Sequence, residues 1–280
     1  MKQNIHEALK NHLYHDRMII AGPCALENRQ SLRVVVNDLH SLGVKMIRAS
    51  LWKPRTTPSW DGIGLWGLYT LLEETLPLGL IPATEVFSAH QAQTIVEIMK
   101  NFGENARIIL WIGARNQNHF ELREIAKILS DAGPQFYLIY KNQMWEDLQH
   151  WQGIGDHIIK AGFPKERLMT CHRGFAPGRA QNEEGLRNLP NFDMAMEIRV
   201  KMEIPMLIDP SHIGGSVEKC MKVLKEALEY PFDGILIEVH ENPSKAVTDS
   251  KQQLDASMFK ELLDHIEKID HERSLQRKAA

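Results

Sequence analysis

The chain has 280 residues, 43% of them hydrophobic, with 33 Lys and Arg against 36 Asp and Glu and a formal net charge of −3. That length can bury one large core in a single domain, and the near-neutral balance offers no global basic field to nucleic acid or an anionic membrane. There is no apolar run of roughly eighteen residues and no signal-peptide core in the first fifteen. Three scattered thiols, Cys24, Cys171 and Cys220, show no CxxC spacing and fit a reducing, cytoplasmic compartment.

Residues 1–15 read as an extra N-terminal helix. After it, eight short apolar runs follow in order: MIIAG (18–22), VKMIRAS (44–50), LIPATEV (80–86), RIILWIG (107–113), QFYLIYK (135–141), RLMTCHRG (167–174), PMLIDPSH (205–212) and GILIEVH (234–240). Unbroken Val/Ile/Leu-rich runs are the mark of parallel strands buried on both faces. Between them lie segments of helical period, among them 31–43, 90–102, 119–133 and 216–230, and glycines at 43, 79, 103, 133 and 162 supply helix stops. Strands recur at intervals of roughly 25–40 residues, as βα units require. No GxGxxG follows the first strand, which argues against an open doubly wound sheet. The expected fold is a single-domain (β/α)₈ TIM barrel over 1–270, with 271–280 a polar C-terminal tail. Trp145 and Trp151 are expected on one helix, facing the core.

Nearly every strand ends in a residue suited to chemistry: Cys24, Arg48 with Lys53, Glu85, Arg115, Lys141, Arg173, Asp209 with His212, and Glu238 with His240. Barrels of this kind keep their active sites at the strands' C-terminal ends. Two constellations stand out. Cys24, His212, Glu238 and Asp249 combine a thiolate, an imidazole and two carboxylates, a set that suits Mn²⁺, Fe²⁺, Co²⁺ or Zn²⁺ better than Ca²⁺ or Mg²⁺. The first, seventh and eighth strands are neighbours around a closed barrel, so three of these ligands can converge. Taken singly, a lone Cys is more often a small core residue and a His after Pro-Ser a turn residue; the joint placement favours the metal.

The second constellation is cationic: Arg48, Lys53, Arg55, Arg115, Lys141 and Arg173. Lys and Arg are rarely buried unpaired. The competing reading is an internal ion network with Glu85, Asp209 and Glu238. Three carboxylates do not balance six cations, whereas a ligand carrying phosphate and carboxylate groups would. The loop KPRTTPSWDGIG (53–64) is stiff and turn-rich, and Arg55 with Thr56 could hold a second phosphate. His172 has the opposite strand parity to Arg173 and has no role.

At these residues the chain closely resembles the metal-dependent 3-deoxy-D-arabino-heptulosonate 7-phosphate (DAHP) synthases. The likeness rests on AGPCALE (21–27), IRASLWKPRTTP (47–58), WIGARN (111–116), CHRGF (171–175), DPSHIGG (209–215) and FDGILIEVHENPSKAVTDSKQQL (232–254). It is similar above all to the catalytic half of fusions with a chorismate mutase, although neither a mutase nor the regulatory domain of some relatives accompanies it. The resemblance implies condensation of phosphoenolpyruvate with erythrose 4-phosphate and water, the first step of the shikimate pathway. It implies that Cys24, His212, Glu238 and Asp249 bind the divalent metal, a Lewis acid on the aldehyde. Arg48, Lys53, Arg115, Lys141 and Arg173 would hold phosphoenolpyruvate, and Arg55 and Thr56 the phosphate of erythrose 4-phosphate. Lys53, Cys24 and His212 would stand at the reacting centre, and the group that deprotonates the water stays open between Glu85 and a metal-bound water. The chain reads YKNQ where many relatives have LKRG, keeping Lys141 and losing the basic residue after it. Rival readings are a 3-deoxy-D-manno-octulosonate 8-phosphate synthase, an amino-sugar variant, and a non-catalytic partner of a chorismate mutase that binds a phosphometabolite. A homo-oligomer, dimer or tetramer, and a separate chorismate mutase are possible partners.

Overall fold

The computed structural model describes residues 5–15, 17–53, 60–179 and 182–279. The chain opens on α1 (Ile5–Leu9), one short helix and a 3₁₀ turn where the sequence suggested a helix through residue 15. Then strands and helices alternate: β1 (Met18–Gly22), α2 (Arg29–Ser41), β2 (Met46–Arg48), α3 (Trp66–Thr75), β3 (Ile81–Glu85), α4 (Ala89–Met99), β4 (Ile108–Ile112) and α5 (His119–Ala132). The second half runs β5 (Phe136–Lys141), α6 (Leu148–Lys160), β6 (Leu168–His172), α7 (Phe192–Met202), β7 (Met206–Ile208), α8 (Pro210–Gly214), α9 (Val217–Ala227), β8 (Gly234–Glu238) and α10 (Ala256–Ala279). Each strand pairs in parallel with the next and β1 closes on β8, so the sheet is a closed barrel. Among the described residues no helix is long and apolar enough to cross a membrane.

The local causes are visible in the caps. Asn28, Ser88, Asn118, Asp147 and Asn191 each accept a hydrogen bond from a backbone N–H of the first turn of the helix that follows. Such caps satisfy orphan donors, and all but Asn191 start a helix within a few residues of the strand end. The five glycines expected to stop helices all have positive φ, from 70° at Gly79 to 124° at Gly133, a conformation that costs residues with a Cβ.

Strand parity divides the core in two. Ile19, Ala21, Ile47, Leu110, Leu138, Ile208 and Ile237 face the helices, in one large cluster with α2 through α10. Met18, Ile20, Met46, Ile81, Ala83, Ile109, Trp111, Tyr137, Ile139, Met169, Cys171, Leu207 and Leu236 fill the barrel, and Ile5 and Leu9 of α1 join this inner cluster. The N-terminal helix therefore plugs one end of the barrel, where Arg107 Nη1 donates to the Ala8 carbonyl at 2.9 Å.

Three details differ from the sequence reading. The expected tail is not separate: α10 continues through residue 279, because no Pro or Gly interrupts the helical stretch from 256. Trp151 is buried on α6 as expected, but Trp145 precedes that helix and is 47% exposed. β7 stops at Ile208, and the string DPSHIG turns at once into α8, begun by Pro210 behind an Asp209 cap. His212 thus sits on a one-turn helix and not on a strand.

Candidate active site

The inward parity of the strands carries on past their apolar residues. The next inward position on successive strands is Gly22, Arg48, Glu85, Gly113, Lys141, Arg173, Asp209 and Glu238. A ring of three cations, three carboxylates and two glycines therefore crowns the inner core. A Cβ at Gly113 would displace the Glu85 carboxylate, so the glycine leaves that side chain its position. At Gly22 a Cβ would meet the carbonyl of Arg48 on the neighbouring strand.

This ring is internally neutral: of the six cations read from the sequence, only Arg48, Lys141 and Arg173 belong to it, and they equal its three carboxylates in number. Lys141 Nζ donates to Asp209 Oδ2 at 2.6 Å, and Arg48 Nη2 to Glu238 Oε1 at 3.3 Å. The surplus sits one layer higher, on loops: Lys53 after β2 and Arg115 after β4. Both border, with Arg48, Glu85, Lys141 and Arg173, a cavity of about 60 Å³ above the ring. A larger cleft of about 310 Å³ lies between α5 and α6 and contains none of these groups. It is a groove in the helical shell, remote from the chemistry.

Within the cavity the cations differ in how they are held. Arg48 is 1% exposed, stacks 5.0 Å over the Trp111 ring, and has Nε and Nη1 without a hydrogen-bond partner among the described residues. Buried guanidinium N–H groups normally have acceptors. Trp111 also lies 5.8 Å from Lys141 Nζ, so it is a shared cation–π platform. Arg173 is buried, which lowers its pKa to about 10 against the pull of Asp209, and its backbone N–H donates to Asn142 Oδ1 at 2.7 Å. Glu85 has no hydrogen-bond partner among the described residues. Burial raises its pKa, with Lys53, Lys141, Arg48 and Arg115 opposing. Sequence reasoning named Glu85 only as one candidate for deprotonating the water and passed over Trp111; the inward parity of both was the available signal.

Beside the cavity lies the proposed metal set. Ligand atoms of Cys24, Glu238 and Asp249 fall within 4.8 Å of one another. Cys24 Sγ donates to Asp249 Oδ2 at 3.1 Å and accepts from Lys53 Nζ at 2.9 Å. His212 Nε2 lies 3.9 Å from Glu238 Oε1, while its Nδ1 lies 2.8 Å from Asp209 Oδ2. A carboxylate on one imidazole nitrogen that leaves the other facing a donor cluster is the usual support of a metal-binding His. Burial lowers the His212 pKa, with Asp209 opposing, so the ring is neutral at neutral pH, the form that ligates. Burial raises the Cys24 thiol, reinforced by Glu238. Burial would also raise Asp249 and Glu238, yet both are lowered, Asp249 by Lys53 and Arg187 and Glu238 by His212 and Arg48. The donor chemistry and spacing fit a borderline divalent ion. Of the other predicted residues, Arg55 and Thr56 lie outside the described residues. His172 points outward, its ring stacked 5.4 Å from that of Trp151, with Nε2 accepting from the Asn191 N–H.

Comparison with known proteins identifies the family and the fold. Residues 14–274 match the model of the DAHP synthetase I family. A phospho-2-dehydro-3-deoxyheptonate aldolase of Thermotoga maritima is 32% identical over 90% of this chain and 69% of its own length. A crystal structure of that organism's phospho-2-dehydro-3-deoxyheptonate aldolase (DAHP synthase) superposes with a TM-score of 0.78 at 31% identity, covering 90% of this chain and 69% of that one. More distant is a 2-dehydro-3-deoxyphosphooctonate aldolase of Geobacter metallireducens, 25% identical over 90% of this chain and 92% of its own. By sequence and by fold, the chain belongs to the DAHP synthetase I family.

Proposed function

We propose that this chain is a DAHP synthase, a transferase that joins phosphoenolpyruvate to erythrose 4-phosphate with addition of water and release of phosphate. The observation that carries the reading is the adjacency, in one barrel mouth, of a cation-lined cavity and the Cys24–Glu238–Asp249 cluster. Cys24, His212, Glu238 and Asp249 hold a divalent ion of the Mn²⁺, Fe²⁺, Co²⁺ or Zn²⁺ kind. When bound, that ion supplies Lewis acidity for the aldehyde oxygen.

The remaining work falls to side chains. Arg48, Arg115 and Arg173 bind phosphoenolpyruvate through guanidinium forks, which match phosphate and carboxylate oxygens. Lys53 and Lys141 are drawn from Cys24 and Asp209 toward the same anion. Arg55 and Thr56 take the phosphate of erythrose 4-phosphate, which fixes its aldehyde carbon against C3 of the enol. As C3 bonds to that carbon, water adds to C2 and its proton passes to Glu85, the carboxylate left without a partner. Glu85 gives that proton up to the new alkoxide on the former aldehyde carbon, and the hemiketal phosphate collapses to the ketone as its C2–O bond to phosphate breaks and its hydroxyl proton leaves with inorganic phosphate.

The second reading, a 3-deoxy-D-manno-octulosonate 8-phosphate synthase, has support from the more distant relatives. Phosphoenolpyruvate consumption, followed with erythrose 4-phosphate or arabinose 5-phosphate and with or without chelator, separates the two. Turnover of erythrose 4-phosphate that chelator abolishes supports the proposal. Preference for arabinose 5-phosphate overturns the substrate assignment, and chelator-resistant turnover overturns the metal assignment.

A further inference from the structure

Two polar side chains outside the ligand set hold its carboxylates. Arg187 Nη1 donates to Asp249 Oδ1 at 2.9 Å and to Gln252 Oε1 at 2.6 Å. Gln252 Nε2 in turn donates to Glu238 Oε2 at 2.7 Å. Each carboxylate is thereby divided. Oδ1 of Asp249 and Oε2 of Glu238 belong to these partners, while Oδ2 of Asp249 lies 3.1 Å from the Cys24 sulfur and 3.7 Å from Lys53 Nζ, and Oε1 of Glu238 accepts from Arg48 Nη2 at 3.3 Å and lies 3.9 Å from His212 Nε2. From this arrangement we infer that Arg187 and Gln252 form a positioning relay, which turns one oxygen of each metal carboxylate toward the ion and withholds the other. The inference rests on the metal reading above and adds residues to it.

Several features make the relay more than incidental contact. Gln252 is 2% exposed, so its amide has been desolvated and its orientation is dictated by the two partners. The oxygen must face the Arg187 donor and the nitrogen the Glu238 acceptor; a flipped amide would set like groups together at both ends. Asp249 has φ of 51°, a left-handed conformation uncommon for a residue with a Cβ. The loop is therefore bent at the ligand itself, and Arg187, from the connection between β6 and α7, ties that bend down from outside. Gly215 makes room for it, since a Cβ there would lie 2.7 Å from the Arg187 Cβ. Next to Gln252, Gln253 Oε1 accepts from the Cys24 N–H at 2.9 Å, so consecutive glutamines reach two different ligands.

The test is cobalt(II) binding to the purified full-length chain, followed by thiolate-to-cobalt charge-transfer absorption and by competition with a chelator. Arg187→Met and Gln252→Met should each weaken cobalt binding by about 10- to 100-fold, the usual effect of removing support from a metal ligand, and should alter the charge-transfer band. Arg187→Lys, which keeps the charge but not the fork, should recover part of the loss. The two Met substitutions together should cost less than the product of the singles, because both act through one chain of bonds. Arg187 has 36% of its side chain exposed, so Arg187→Met should leave melting of the metal-free chain unchanged. Affinity lost only in step with that melting temperature would mark a merely structural role and overturn the inference, as would wild-type affinity and band in both variants. A wild-type chain that gives no thiolate band, or a Cys24→Ser variant that binds as tightly as wild type, overturns the metal site itself.

Discussion

Asp209 is the residue on which structural and catalytic roles can be weighed most directly, and Asp209→Asn is the perturbation that does so. Its carboxylate is fully buried and meets Lys141 Nζ at 2.6 Å and His212 Nδ1 at 2.8 Å, while Oδ1 caps α8 by accepting from the His212 N–H. Burial alone would raise its pKa, but His212 and Lys141 hold it well below the ordinary carboxylate range, so it is ionised at neutral pH. The amide keeps the cap and the shape but removes the charge, leaving Lys141, 5% exposed, without its anion. Removing one partner of a buried pair costs about 3–5 kcal/mol. With an unfolding entropy of about 2.1 cal/mol/K per residue over 280 residues, that is a fall in melting temperature of about 5–8 °C.

The assay is thermal unfolding of the metal-free chain at neutral pH, by calorimetry or circular dichroism, for Asp209→Asn, Lys141→Met and the double variant. If the loss comes from stranding a buried cation, adding Lys141→Met to Asp209→Asn should restore most of the stability, since the uncompensated charge is then gone. Activity should not return, because Lys141 also serves the substrate. A single variant melting within about 1 °C of wild type, or a double variant less stable than Asp209→Asn, refutes the pairing on which the neutral ring rests.

Three further outcomes are expected. Arg48→Lys keeps a cation but gives up the two N–H groups now without partners; charge-assisted hydrogen bonds are worth about 1.5–3 kcal/mol, so kcat/KM for phosphoenolpyruvate should fall by about 10- to 100-fold. His172 is lowered to about 3 from 6.5 by burial, with Arg173 adding to it. The unfolded chain therefore binds the extra proton between those values, and the stability this neutral ring contributes is present above pH 6.5 and is lost as pH falls toward 3. His172→Gln, which keeps an acceptor for Asn191, should flatten the acid limb of a stability–pH curve; an unchanged limb would refute it. Leu9→Ala, at the plugged end of the barrel, should cost about 2–5 kcal/mol of stability and leave kcat and KM at 25 °C unchanged, because the plug lies at the end opposite the active site; a change in KM would count against that placement.

The alternation of strands and helices was legible because two periodicities never competed: unbroken Ile/Leu/Val runs at the strands, three- and four-residue steps between them. Helix starts were legible less clearly. Asn28, Ser88, Asn118 and Asp147 are all capping residues, yet each stands in a polar stretch where several residues could have served. β7 misled because PMLIDPSH continues in composition where the backbone turns; only the pairing of an Asp cap with a Pro at the first helical position marks the end. The final helix misled in the opposite sense. Its last residues are polar, and polarity alone does not end a helix when no breaker is present.

The site was legible in proportion to how far its members are governed by strand parity. Arg48, Glu85, Lys141, Arg173, Asp209 and Glu238 share the inward parity of Met46, Ala83, Ile139, Cys171, Leu207 and Leu236, so counting in steps of two finds them all. Parity does not report pairing, which depends on the register between strands and on how far each side chain reaches. Of the six cations set against three carboxylates in the sequence, only Arg48, Lys141 and Arg173 lie in this ring, where they equal Glu85, Asp209 and Glu238 in number, and among the described residues Glu85 and Arg173 have no ion-pair partner. The residues that break that balance, Lys53, Arg115 and Asp249, stand on loops, as do Arg187 and Gln252, where no periodicity applies. What marks them is reach: each is a long or charged side chain at the barrel mouth, and Lys53, Asp249, Arg187 and Gln252 are held there by partners distant in sequence. A neutral ring beneath a cationic upper layer has a chemical consequence. The lower layer keeps the barrel top stable before any substrate arrives, while Lys53 and Arg115 above it add the net positive charge that, with the free N–H groups of Arg48, with Arg173 and with Lys141 drawn from Asp209, meets phosphoenolpyruvate.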